Sequence, residues 1–124
     1  MINDSKIIAF VATKDSVRAK NFYENILGLK LVHDGNVALL FDANGTKLMV
    51  QKVKEHNPPQ FTVLGWDVVD INAEVEELHR RGIEVARYDW MQQDDKGIWT
   101  APGGAKVAWF KDPDGNTLSL TQFQ

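Results

Sequence analysis

Three histidines, four tryptophans and a set of scattered carboxylates are the side chains in this sequence with the chemistry to hold or transform a ligand. Imidazoles make a metal site only when several donors converge on one point, because ligand number and geometry are restrictive. His33 ends a strand-like run beside Asp34, His56 lies in a polar stretch before Asn57-Pro58-Pro59, and His79 falls in a helical pattern beside Arg80 and Arg81. They share neither a strand nor a helix face, so the expectation is solvated or hydrogen-bonded histidines and no metal. There is no cysteine, which excludes disulfides, thiolate metal sites and thiol nucleophiles. No nucleophile elbow, phosphate-binding glycine motif or HExxH is present, so no catalytic residue is assigned. Trp66, Trp90, Trp99 and Trp109 are left as large apolar surfaces suited to a core or a ligand pocket.

The bulk properties narrow the partners. At 124 residues the chain is the size of one domain, and its formal net charge of −3 gives no electrostatic reason to expect nucleic acid. No apolar run approaches the length that spans a bilayer. Met1 to Lys6 lacks a basic segment followed by a long apolar one, so it does not read as a signal peptide. These features suit a cytoplasmic protein that binds neither nucleic acid nor membrane.

The elements that must position the tryptophans repeat. Val37-Ala38, Asp42, Asn44-Gly45, Leu48 and Val50 are matched by Val107-Ala108, Asp112, Asp114-Gly115, Leu118 and Leu120, each 70 residues on. Each stretch reads as strand, tight turn, strand, with Asn-Gly and Asp-Gly supplying the turn. Upstream, Lys6 to Thr13 and Phe61 to Val69 are strand-like runs ending near Asp15 and Asp70. Ala19, Phe22, Tyr23, Ile26 and Leu27 then mark one face of a helix, and Ile71, Val75 and Leu78 mark a second. Asp15 caps the first, and Asp70 or Asn72 the second; Gly28 and Gly82 end them. Leu29 to His33 and Ile83 to Tyr88 read as the following strands. The result is an α+β chain of two βαβββ modules, about 5–53 and 61–124, joined by a linker over 54–60. The second module holds about 15 extra residues, roughly Trp90 to Gly104, read as a lid because two tryptophans are costly to leave in water.

With Asp112-Pro113-Asp114-Gly115-Asn116-Thr117-Leu118 after Val107-Ala108-Trp109-Phe110, and Phe22-Tyr23 before Leu27-Gly28-Leu29, the chain resembles the vicinal oxygen chelate superfamily of glyoxalases, bleomycin-resistance proteins and extradiol dioxygenases. The resemblance covers nearly the whole chain. It implies two βαβββ modules forming a U-shaped mixed sheet around a concave pocket, helices on the outer face, and a homodimer. Catalytic members hold a divalent metal with side chains from the first and fourth strands of each module. The matching positions here are Ile8, Met49, Leu64 and Ser119, none a suitable donor, and their neighbours are apolar too.

If those positions face the pocket, strand alternation brings Phe10 and Ala12 with Ile8, Thr62 and Trp66 with Leu64, Lys47 and Gln51 with Met49, and Thr117 and Thr121 with Ser119. Trp90, Trp99 and Gln92 or Gln93 would close it, and Trp109 lies on either face. The expected ligand-binding set is therefore Phe10, Met49, Gln51, Trp66, Trp90, Gln92, Trp99, Trp109, Ser119 and Thr121, an apolar wall with a few orienting polar groups. A core filled by its own side chains is the competing reading, with Met49 a natural gap filler. The function expected is that of the bleomycin-resistance branch, whose members bind a drug between aromatic side chains: a cofactor-free protein that sequesters an aromatic or heterocyclic small molecule. A lyase, isomerase or dioxygenase with a displaced metal site or metal-free chemistry is the alternative.

Overall fold

All 124 residues, Met1–Gln124, are described in the computed structural model. The chain divides into two compact units, Met1–Pro58 with Asp112–Asn116, and Pro59–Lys111 with Thr117–Gln124. In the first, β1 (Ile8–Thr13) leads into α1 (Ser16–Lys20), which runs on as a wider π-helical stretch, Asn21–Ile26. β2 (Lys30–Asp34), β3 (Ala38–Ala43) and β4 (Thr46–Lys52) follow. In the second, β5 (Thr62–Asp67) is followed by α2 (Ile71–Arg80), β6 (Trp99–Thr100), β7 (Lys106–Lys111) and β8 (Thr117–Gln122). The sheet orders are β1-β4-β3-β2 and β5-β8-β7-β6. In both, the first strand runs parallel to the fourth and the other pairs are antiparallel. This is the α+β pair of βαβββ modules that the repeat predicts.

Local chemistry sets the element ends. The Asp15 carboxylate accepts from Arg18 N, and the Asp70 carboxylate from Ala73 N, each at 3.2 Å, so both helices start at their aspartates. Asn44 and Gly45, with φ of 50° and 96°, make the two-residue turn whose twist matches the strands β3 and β4.

Each sheet buries one face against its helix. In the first unit Val11, Thr13, Leu39, Phe41, Leu48 and Val50 are buried together with Phe22 and Tyr23. The Tyr23 ring lies 5.9 Å from Phe41 and edge-on to Phe22 at 5.0 Å. In the second, Ala108, Phe110, Leu118 and Leu120 meet the α2 stripe of Ile71, Val75 and Leu78, all buried.

Two features depart from the sequence reading. Ile83 to Tyr88 is not a strand: it gives β7 one hydrogen bond, Ala86 N to Trp109 O at 2.7 Å. The rest of that edge is taken by β6, from the insert, which pairs Trp99 with Val107 and Thr100 with Lys106. The extra residues thus supply the edge strand. Second, the 70-residue offset does not hold for facing throughout. Leu48 and Leu118 face their helices alike, but Phe41 corresponds in facing to Phe110 and Leu39 to Ala108. Two residues turn β3 into β4, five turn β7 into β8, and the register moves by one.

That five-residue turn, Asp112–Asn116, holds the most concentrated polar network of the first unit. Asp112, 5 % exposed, accepts from Asp114 N (2.9 Å), Asn116 N (2.9 Å), Asn116 Nδ2 (2.8 Å) and the Tyr23 hydroxyl (2.6 Å). Asn116 Nδ2 also donates to Ala12 O, and Asn116 Oδ1 meets His56 Nε2 at 2.6 Å. Burial, reinforced by the Asp112 charge and hydrogen bond, pushes the Tyr23 phenol far above its ordinary range.

Removing the Asp112 acceptor leaves several donors unmet at once. Asp112→Ala is expected to lose about 3 kcal/mol in urea denaturation and Tyr23→Phe about 1 to 2 kcal/mol. The Tyr23 shift also has a pH signature. Above pH 10 an unfolded tyrosine ionises while the folded one keeps its proton, so stability is present below that pH and falls above it. The stability gap between wild type and Tyr23→Phe should therefore narrow by about 1.4 kcal/mol per pH unit there; a gap constant into alkali would contradict the buried phenol.

Candidate functional site

Strand pairing decides which side chains share the face that no helix covers, because paired residues point the same way. On the first sheet the rows of that face are Ile8–Lys47–Asp42, Phe10–Met49–Leu40 and Ala12–Gln51–Ala38. Phe10 is 50 % exposed and opposes Met49, with Gln51 in the next row. The structure therefore brings the three expected residues of the first unit together as a mostly apolar patch.

On the second sheet the rows are Thr62–Thr117–Lys111, Gly65–Ser119–Trp109 and Asp67–Thr121–Val107, the last extended to Trp99 on β6. Trp109, Trp99, Ser119 and Thr121 meet on one face. The Trp99 and Trp109 ring centroids are 6.0 Å apart; Tyr88 sits edge-on to Trp109 at 6.0 Å, and Trp90 lies 5.7 Å beyond Tyr88. Trp109 Nε1 donates to Thr62 Oγ1 at 3.0 Å, which fixes the indole plane. Trp90 is 78 % exposed and forms the outer end of this aromatic group.

Trp66 is a correction. A bulge at Val63, between the Thr62 and Leu64 pairings, breaks the alternation of β5. Leu64 and Trp66 pair with Leu118 and Leu120 on the helix side, and Trp66 stacks on Phe110 at 6.2 Å. It lies half-buried on the helix side, and the helix-free positions of β5 beyond the bulge are Gly65 and Asp67. The two insert amides differ. Gln92 is exposed and makes no hydrogen bond, whereas Gln93 accepts from Tyr88 N and donates to Ala86 O and Gly97 O, so its amide holds the insert together.

The four positions assigned to metal ligands fare differently in the two units. Ile8 and Met49 are on the helix-free face of the first sheet, Ser119 on that of the second, and Leu64 on the helix side. No three histidine, aspartate or glutamate side chains converge anywhere in the chain. One hydroxyl among apolar groups is not a donor set for a divalent cation. His33 pairs opposite Leu40, His56 is bound to Asn116, and His79 is exposed on α2.

A depression of about 430 Å³ lies against α2, lined by Val75, His79, Ile83, Arg87 and Lys96 among others. Its charges are largely spent on each other. Lys96 Nζ meets Glu76 Oε1 at 2.7 Å, which holds Glu76 below the usual carboxylate range, and Arg87 donates to Asp94 O and Asp95 O. It is where the insert is strapped to the helix, and it offers a ligand little.

The aromatic face is better supplied with unspent groups. Ser119 is 7 % exposed, yet its Oγ has no partner within the protein and keeps contact with solvent. A Cβ on Gly65 would come within 2.6 Å of that oxygen, so the missing side chain is what makes room for the Ser119 hydroxyl. Thr62 faces this side as strand alternation predicts, whereas Tyr88, Gly65 and Lys111 are not among the expected site residues. Tyr88 falls in the segment misread as a strand, and the others follow from the register of β5 and β7, which local pattern does not carry.

The sequence profile of the Glyoxalase/Bleomycin resistance protein/Dioxygenase superfamily matches residues 7–120. No curated protein matches the sequence. Among solved structures, a glyoxalase family protein from Enterococcus faecalis is 21 % identical with a TM-score of 0.76, covering 98 % of this chain and 100 % of that one. A glyoxalase family protein from Bacillus anthracis is 17 % identical with a TM-score of 0.75, covering 97 % and 95 %. A lactoylglutathione lyase from Agrobacterium tumefaciens is 20 % identical with a TM-score of 0.69, covering 95 % and 93 %. At these identities the likeness is one of fold, while the profile spans nearly the whole repeat: this chain belongs to the glyoxalase, bleomycin resistance protein and dioxygenase superfamily.

Proposed function

We propose that this protein binds a planar aromatic or heterocyclic small molecule without a metal ion and sequesters it unchanged. The observation that carries the reading is the run of rings Trp90, Tyr88, Trp109 and Trp99 on the helix-free face of the second unit. Such rings offer large, rigid contact area at low entropic cost, and a few hydroxyls beside them can orient a ligand. Ser119 and Thr121 are those hydroxyls. The donor set argues against a bound divalent cation, and so favours binding over metal-assisted catalysis. The cysteine-free composition suits work in the cytoplasm, and family membership suits a homodimer. No helix is long and apolar enough to cross a membrane.

Intrinsic tryptophan fluorescence, titrated with a panel of planar aromatic compounds in the presence of a chelator, tests this. A saturable change is expected, unaltered by added magnesium, manganese, nickel or zinc. Trp99→Ala and Trp109→Ala should each weaken binding by about tenfold or more, as central aromatic anchors do. Trp66→Ala should keep the affinity and lose about 2 kcal/mol of stability, the cost of emptying part of a core. A response that appears only with metal would overturn the proposal in favour of an enzyme.

A further inference from the structure

Lys111 is the cation of the second unit's helix-free face that lacks a counter-charge. It projects from β7 two residues beyond Trp109, about 7 Å along the strand and on the same side. Its Nζ donates to Thr117 Oγ1 at 3.0 Å, and no carboxylate pairs with it. The corresponding row of the first unit differs: it carries both signs of charge, Asp42 and Lys47 being paired in register across β3 and β4, though Asp42 accepts from Gly45 N and forms no ion pair with the lysine. In the second unit Lys111 occupies the place of Asp42 and Thr117 the place of Lys47, so the row carries a positive charge and no carboxylate. The other charged strand residue on this face is Asp67, two rows and two strands away. Strand geometry puts it at about 16 Å, beyond the reach of an exposed charge at physiological salt.

The unpartnered Ser119 hydroxyl lies beside Trp109 in the row next to that of Lys111. An ammonium, a free hydroxyl and indole faces therefore lie in adjacent rows of one face, a spacing suited to a fused aromatic ring bearing a short acidic group. We infer that the ligand is a planar aromatic carboxylate, its ring on Trp109 and Trp99, its carboxylate taken by Lys111 Nζ with Ser119 Oγ as second donor. This deepens the reading of the aromatic face as a ligand site and rests on it. A cationic ligand, which the tryptophans and the acidic composition alone would also suit, meets an ammonium here.

Three probes of one shape separate the possibilities: naphthoate, naphthamide and naphthylmethylammonium, measured by equilibrium dialysis against the full chain. Naphthoate should bind at least about tenfold more tightly than naphthamide, the scale of one hydrogen bond to a charged group, and naphthylmethylammonium most weakly. Lys111→Met should erase the preference for the acid while keeping the affinity for the amide, which also shows that the variant is folded. Lys111→Arg should retain the preference. Equal binding of acid and amide by wild type, or a preference that survives Lys111→Met, overturns the acid inference and leaves the aromatic site standing. Failure of all three probes to bind would overturn both.

Discussion

One constraint runs through the molecule: each sheet has a face committed to a helix, and strand alternation then fixes what the opposite face presents. Leu48 and Val50, like Leu118 and Leu120, bury against their helices. Met49 and Ser119, between them, are therefore forced outward. Nothing about Ser119 as a residue dictates its orientation; its two leucine neighbours do. The same parity makes single-residue irregularities consequential. The bulge at Val63 moves a tryptophan from a presumed binding surface to the helix side of the sheet, and nothing smaller than a register shift would have done so.

The turn at Asp112–Asn116 sets that parity for β7. Its five residues pair Lys111 with Thr117, which places Ala108 and Phe110 on the helix side and Trp109 and Lys111 on the other. The turn conformation in turn depends on Asp112, whose carboxylate gathers two backbone N–H groups of the turn, the Asn116 amide and the Tyr23 hydroxyl. A buried carboxylate is tolerable only when its lone pairs are met, and here four donors meet them. The polar network most costly to leave incomplete is thus the one that decides which way the tryptophan and the lysine point.

Much of this was legible in the residues. The duplicated hairpin signals at Asn44-Gly45 and Asp114-Gly115, the capping aspartates Asp15 and Asp70, and the apolar stripes of the helices are local chemistry, and local chemistry is readable. So was the shared facing of Phe10, Met49 and Gln51, because β1 and β4 are regular. What escaped depends on choices between distant segments. Ile83–Val85 has the composition of a strand, but so does Ile98–Thr100, and only one can line most of the β7 edge. The contest is settled by Gln93 and Arg87, which fold the insert back on itself through Ala86, Gly97, Asp94 and Asp95. Neither residue announces that role by its type. The Trp66 bulge and the one-residue slip at β7 are likewise properties of pairing, invisible until a partner strand is chosen.

The two units show what the scaffold holds fixed and what it frees. On the helix side both carry large apolar residues, because that face must exclude water for either unit to be stable. On the other face the equivalent rows diverge in chemistry. Phe10, Met49 and Leu40 in the first unit are replaced by Gly65, Ser119 and Trp109 in the second; Asp42 by Lys111; Lys47 by Thr117. In the second unit these changes leave the Ser119 hydroxyl without an internal partner and the Lys111 charge without a carboxylate, while the Trp109 indole and the Thr117 hydroxyl keep internal hydrogen bonds. A surface with no task has no physical reason to accumulate unspent donors beside a row of indoles, since each must be kept hydrated at the edge of an apolar patch that would rather be covered. The arrangement is economical only if something else supplies the missing acceptors and the missing cover, and a flat ring with an acidic group supplies both at once.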